Sequence, residues 1–183
     1  AVVVTAPIPQ AYALLATSGV ELPPELAGID YERILGLLTV LDRDPGLPSP
    51  GGVQQADATF GFIADNVAKG VSARPAVTFH STPAVAAEWW DRDPAEAAAH
   101  LLEAARRWLG GATVTEAQLK RWRFARPARL WPDPCWAAPA DHPLLLAGDA
   151  FAGPWVTDVS VPGSSLEGAF WSGRAAALEL LRP

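Results

Sequence analysis

Residues 144–177 constrain the fold more than any other part of the sequence. The apolar run at 144–147 is followed by Gly148-Asp149, which is typical of a buried strand that stops at a tight turn. Further on, Ser164 and Glu167 have the spacing of a helix capping box. We therefore predict a strand, an acidic turn, a loop and a helix whose open N–H groups start close to the turn. Simple roles as a turn former and a helix cap would also account for Asp149 and Glu167.

Composition and charge limit the partners that the chain can have. The 183 residues are 50% apolar, and the formal net charge is −6. An acidic chain without a lysine or arginine cluster is a poor match for nucleic acid or an anionic membrane. Cys135 is the one cysteine, no apolar run approaches the length of a membrane span, and the three histidines lack metal-ligand spacing. We predict a cytoplasmic protein with no nucleic-acid partner, no membrane partner and no metal site.

Two absences lead us to expect the C-terminal portion of a longer protein. The sequence contains no methionine and opens directly on the strand-like residues 1–5. It also lacks a G-x-G-x-x-G motif after a strand, although a dinucleotide-binding βαβ unit uses that motif to approach a pyrophosphate. A missing N-terminal part would carry the motif.

Local patterns predict the elements of the middle of the chain. A short helical piece is expected at residues 30–34, followed by an apolar strand at 37–41. Residues 60–64 and 76–80 are rich in strand-forming side chains and should pair in a sheet.

Two further elements complete the sequence-based outline. Asp93-Pro94 predicts a capped helix that ends at Gly110-Gly111. Residues 119–124 alternate as in a half-buried strand, which would direct Trp122 and Phe124 inward together.

Several stretches together resemble the C-terminal flavin-binding signature of the FAD-dependent amine oxidase superfamily. The most specific part is Leu145-Leu146-Ala147-Gly148-Asp149, followed by Leu166-Glu167-Gly168-Ala169 and Ser172-Gly173. Within the superfamily, the chain is most similar to the renalase-like NAD/FAD-dependent oxidoreductases because of three further stretches, namely residues 62–70, 77–80 and 122–127.

The resemblance implies a fold class and a domain organisation. It implies an α/β fold with an α+β substrate domain, that is, part of a Rossmann-like FAD-binding domain plus a substrate domain with an antiparallel sheet and helices. Residues 1–27 would be a returning segment of the FAD-binding domain, 28–125 the substrate-binding domain, and 126–183 the C-terminal FAD-binding segment. The N-terminal half of the FAD domain would be missing.

The resemblance also implies site residues. Gly148 and Asp149 would contact the ribityl or pyrophosphate region of FAD, and the helix start would face the pyrimidine edge of the flavin. Asn66, His80 and Trp122 would line the substrate pocket, although ordinary turn, strand and core roles remain open for them. The implied cofactor-binding residues are Gly148, Asp149, Ser165, Leu166, Glu167, Gly168 and Ala169.

The implied activity is oxidation of a dihydronicotinamide dinucleotide-like small molecule by hydride transfer to flavin, with oxygen as acceptor. Two alternatives stay open, an amine oxidase acting on a small amine and a non-catalytic binding or scaffold fragment. Ser165 occupies the position at which many amine oxidases have a tyrosine, which argues against a typical amine oxidase site. Residues 155–163 look like an insertion relative to the renalase-like pattern, and the fragment alone is expected to be inactive.

Overall fold

The structure is a computed structural model that describes residues 1–139, 143–154 and 166–182. Strands and helices alternate irregularly along these ranges. In chain order the elements are β1 (Val2–Val4), α1 (Ile8–Leu15), α2 (Pro24–Ala27), β2 (Tyr31–Leu41), β3 (Gly52–Gln54), β4 (Phe60–Asp65), β5 (Ala76–Ser81), α3 (Pro83–Trp89), α4 (Pro94–Ala105), β6 (Val114–Pro127), β7 (Trp136–Ala137), β8 (Leu144–Leu146) and α5 (Leu166–Leu180).

The chain divides into two compact units. The first unit consists of Ala1–Glu32 and Phe124–Pro183, and the second consists of Arg33–Arg123. A mixed α/β fold with antiparallel strand pairs is confirmed. The Rossmann-like assignment, the missing half of the FAD domain and the roles given to the three segments stay predictions.

The first unit is built on a three-stranded sheet with the order β1-β8-β7. β1 runs parallel to β8, with Val4 opposite Leu146, whereas β7 runs antiparallel to β8. Successive strand residues point to opposite faces of a sheet, so Leu145 and Leu146 enter different cores. Leu146 packs in the cluster that contains Ile8 of α1 and Leu26 of α2, and Leu145 packs with Ala176 of α5.

The second unit contains most of a five-stranded sheet with the order β3-β4-β5-β2-β6. Leu37 lies opposite Phe79 across β2 and β5, and Ile63 lies opposite Phe79 across β4 and β5. These side chains form the buried face, which packs against Leu101 of α4 and Ala86 of α3. The predicted pairing of residues 60–64 with 76–80 is confirmed.

The start of α4 is also confirmed. The Asp93 side chain accepts hydrogen bonds from the backbone N–H groups of Ala95 and Glu96 over 2.8 and 3.3 Å, and Pro94 opens the helix. The Asp93 carboxylate pairs two N–H groups that have no partner within the helix, and Pro94 has no N–H group to pair.

The predicted helical piece at residues 30–34 is wrong, because β2 is continuous over Tyr31–Leu41. Alternate residues of its second half, including Leu35 and Leu37, are fully buried. That period-2 burial, together with pairing on both sides to β5 and β6, outweighs the weak local preference of five residues.

Within the described ranges, no helix is both long enough and apolar enough to cross a bilayer.

Candidate functional site

The turn after β8 lies at the carboxyl edge of the parallel strand pair. The backbone N–H of Ala147 donates to the carbonyl oxygen of Val4 over 3.1 Å, which continues the parallel ladder to the end of both strands. Gly148 then has φ of 140°, a conformation that favours glycine. A Cβ at Gly148 would lie 3.6 Å from the Thr5 carbonyl oxygen, so the backbone conformation and not space requires glycine here. In open α/β sheets, ligands bind outside this edge of the strands.

Ser172 of α5 holds the turn in place. Its Oγ accepts a 2.8 Å hydrogen bond from the backbone N–H of Gly148, and the residue is completely buried. Ser172 belongs to the sequence resemblance, but the resemblance does not predict its contact with Gly148. A serine on the buried side of a helix does not by itself indicate a contact with a turn, because the two partners are 24 residues apart in the chain.

Asp149 presents a half-buried carboxylate at the same turn. Among the described residues, no other side chain or backbone group donates a hydrogen bond to it. Burial raises the pKa of Asp149 above its usual range, and a hydrogen bond from its own backbone N–H opposes this effect. A carboxylate in this state can accept hydrogen bonds from neutral hydroxyl donors.

A buried donor lies beside the turn. The backbone of Trp131 bonds to Ala150 and Ala152, which places Trp131 alongside Phe151. The indole Nε1–H of Trp131 is buried and has no acceptor within the described ranges. Leaving such a group unpaired costs about 1–3 kcal/mol.

The predicted helix-start residues are only partly described. Leu166 and Glu167 are exposed at the first turn of α5, and Gly168 and Ala169 are half-buried. Ser164, Ser165 and residues 155–163 lie outside the described residues. The predicted capping box and the contacts of the α5 start with flavin therefore stay predictions.

Tyr31 is a polar residue of the first unit that the sequence analysis missed. Its hydroxyl oxygen accepts a 3.2 Å hydrogen bond from the backbone N–H of Ile8, the first residue of α1. The ring meets Phe124 edge-on, with 5.7 Å between centroids. Burial raises the pKa of Tyr31 to about 12; the hydrogen bond from Ile8 opposes this, and the charge of Asp149 adds to it.

Two of the predicted substrate-pocket residues meet in the second unit. The rings of His80 and Trp122 form an edge contact with 4.8 Å between centroids, and Phe62 lies 5.5 Å from His80 on the neighbouring strand. Burial lowers the pKa of His80 below its ordinary value, and the charge of Lys69 lowers it further. A neutral imidazole offers one donor and one acceptor nitrogen.

Trp122 does not point into the helix-packed core, so its predicted inward direction is wrong. Its indole covers Gly36, where a Cβ would lie 3.0 Å from the ring, and 37% of Trp122 is exposed. Gly36 alternates with the buried Leu35 and Leu37, so Trp122 covers the opposite face of the sheet. The sequence shows the alternation of residues in β6. It does not show which of the two faces of β6 packs against the helices.

Asn66 reaches this same face through Thr78. Its Nδ2 donates to the Thr78 Oγ1 over 3.0 Å, and Thr78 is two residues from His80 on β5. A concave cavity of about 460 Å³ opens beside the pair. Its lining includes the polar residues Thr39, Asn66, Thr78, Glu116 and Gln118, and Leu38 and Val40 are among the apolar ones. The lining does not include His80 or Trp122.

The predicted site residues thus fall into two groups. Asn66, His80 and Trp122 belong to the second unit and share one face of its sheet. Gly148, Asp149 and the described start of α5 belong to the first unit.

Comparison with solved structures identifies a protein of similar fold. It is named "Putative protoporphyrinogen oxidase", from Exiguobacterium sp. 255-15, and matches with a TM-score of 0.57 at 16% sequence identity. The match covers 98% of this chain and 41% of the solved chain, so this chain spans about two fifths of that protein. No protein-family model matches the sequence, and neither does any curated protein.

Proposed function

We propose that the chain is the C-terminal portion of an FAD-dependent oxidoreductase. The observation that carries this proposal is the turn after β8, where Gly148 at φ of 140° is held by Ser172 and is followed by the half-buried Asp149. The turn lies at the carboxyl edge of parallel strands, where ligands of α/β folds bind. The likeness of fold to a protein named as an oxidase, and the sequence resemblance, both support the same reading.

The residues of the first unit fit such a cofactor. Asp149 would accept a hydrogen bond from a ribityl or ribose hydroxyl, because its charge is poorly suited to a phosphate. Gly148 lets the backbone turn sharply at that point, and Ser172 fixes the turn to α5. The N–H groups at Leu166 and its neighbours would face the electron-rich pyrimidine edge, where the helix dipole favours negative charge.

FAD, when bound, would accept hydride from the reduced substrate and pass the electrons to oxygen. Asn66, His80 and Trp122 of the second unit would bind and orient a dihydronicotinamide-like substrate. A neutral His80 can hydrogen-bond a carboxamide without taking a proton, and hydride transfer requires no protein acid or base. Trp122 and Phe62 supply the apolar surface against which a planar ring packs.

The substrate proposal is tested by flavin reduction without oxygen. The full-length protein, loaded with FAD, is mixed anaerobically with isomeric dihydronicotinamide dinucleotides and, separately, with a panel of small amines. We expect the dihydronicotinamides to bleach the flavin and the amines to leave it oxidised. Bleaching by amines alone would favour the amine oxidase alternative. A bound flavin that no member of either panel reduces would contradict both substrate classes.

A pair of variants tests the pocket in the same assay. Asn66→Ala removes the amide next to Thr78 and is expected to slow bleaching at low substrate concentration by about tenfold, because one hydrogen bond to the substrate is lost. Val67→Ala changes an exposed neighbour and should leave the rate unchanged. Equal rates in the two variants would remove Asn66 from the pocket.

A further inference from the structure

The hydroxyl of Tyr31 has a hydrogen-bonding capacity that the described structure does not use. Its oxygen accepts the backbone N–H of Ile8 over 3.2 Å, so its own proton is directed elsewhere. Phe124 and the core around Ile8, Leu146 and Phe151 pack against the ring and limit its movement. Tyr31 is therefore a fixed donor at the start of α1.

The start of α1 and the acidic turn lie at the same edge of the sheet. The parallel register of β1 and β8 places Val4 opposite Leu146, and α1 and Asp149 follow within four residues of these strand ends. Tyr31 packs against the cluster that contains Ala150 and Phe151, the two residues after Asp149. Both polar groups thus belong to this edge.

The two groups belong to neighbouring parts of this edge. A Cβ on Gly148, the residue before Asp149, would lie 3.6 Å from the Thr5 carbonyl oxygen, and Thr5 is three residues before Ile8, whose N–H the Tyr31 hydroxyl accepts. Among the described residues, no hydrogen bond joins Tyr31 to Asp149. A donor and an acceptor that are separated in this way are complementary to one hydroxyl group, which can accept from the phenol and donate to the carboxylate. A phosphate would meet the negative charge of Asp149, whereas a hydroxyl uses the phenol as donor and the carboxylate as acceptor.

We propose that Tyr31 and Asp149 together hold one sugar-type hydroxyl of the ligand, with Tyr31 as donor and Asp149 as acceptor. This assignment rests on the proposed function, in which the ligand is FAD and the hydroxyl belongs to its ribityl chain or its ribose. It gives Tyr31 a direct role in cofactor binding in addition to its contact with α1.

The test measures FAD affinity of the full-length apoprotein by the quenching of flavin fluorescence. Tyr31→Phe should weaken FAD binding about fivefold to tenfold, as expected for one hydrogen bond. Tyr12→Phe is the matched control, because Tyr12 is the other tyrosine of the chain and is half-exposed on α1. It should bind FAD within about twofold of the wild type.

A double-mutant cycle separates a shared hydroxyl from a structural effect. If both side chains hold the same group, then Asp149→Asn should weaken binding much less in the Tyr31→Phe background than in the wild type. The assignment would be overturned if Asp149→Asn weakened FAD binding by the same factor in both backgrounds, or if Tyr31→Phe bound FAD as tightly as the wild type. Either result would leave the FAD proposal intact. A wild type that binds no FAD would overturn the proposed function and this assignment with it. Circular dichroism of each variant monitors the fold.

Discussion

The surroundings of His80 favour the neutral form of its imidazole. Burial lowers its pKa from the ordinary 6.5, and the charge of Lys69 contributes in the same direction. The pKa of such a histidine is lower in the folded than in the unfolded state. Its contribution to the free energy of unfolding is fully present at a pH above the unfolded-state pKa, and it is lost as the pH falls through the folded-state pKa. Acidification should therefore destabilise the second unit.

The two lysines of the chain allow the charge effect to be separated from burial. Lys69→Gln should raise the pKa of His80 without restoring the ordinary value, because burial remains. Lys120→Gln, which changes the other lysine, should leave it unchanged. NMR titration of the histidine ring protons measures both. A His80 pKa that does not respond to Lys69→Gln would contradict the assigned cause.

Residues were predictable from the sequence where their role depends on near neighbours. The Asp93 cap is set by residues two and three positions away and was recognised. The contacts of Tyr31 with Ile8 and of Gly148 with Ser172 span 23 and 24 residues. No local pattern encodes such contacts, because they depend on how the strands and helices pack.

At the scale of elements, strand pairing determines secondary structure where the local sequence pattern is weak. The continuous strand β2 replaced the expected short helix at residues 30–34 because β5 and β6 pair with it on either side. The features that were confirmed, such as the start of α4 and the β4-β5 pair, have a strong period or a well-defined cap. The predicted end of the helix at Gly110-Gly111 is wrong, because α4 ends at Ala105 and a short 3-10 turn follows at Arg106–Trp108.

The contact between β2 and β6 makes a prediction about Gly36. In Gly36→Ala the new Cβ would lie 3.0 Å from the Trp122 ring, so the ring would have to shift by a few tenths of an ångström at its contact with His80. We expect destabilisation by about 1–2 kcal/mol, which is typical of overpacking, and a changed near-ultraviolet dichroism spectrum. Urea unfolding measures the loss.

Gly61→Ala is the control for Gly36→Ala. At Gly61 the nearest atom to an added Cβ is 3.8 Å away, an ordinary contact, so the substitution should be close to neutral. A Gly36→Ala variant as stable as Gly61→Ala would mean that the packing of the Trp122 ring does not require a glycine at position 36.

At the scale of the whole molecule, the proposed function would use polar groups from both units. The acidic turn, Ser172 and Tyr31 are gathered in the first unit, and the aromatic face with Asn66 and its cavity lies in the second. A solved protein of similar fold is more than twice as long as this chain. The turn at Gly148 was predictable from the sequence, whereas the face of the sheet that Trp122 covers depends on packing that no single stretch encodes.

The central claim is that the turn at Gly148-Asp149 belongs to an FAD site. The direct measurement incubates the purified full-length protein with FAD, removes unbound cofactor by gel filtration, and records the visible spectrum. The wild type and Asp133→Ala, which changes an exposed aspartate of the first unit, should retain about one flavin per chain. Asp149→Ala should retain much less. A wild type without flavin absorption, or equal retention by Asp149→Ala, would contradict the claim.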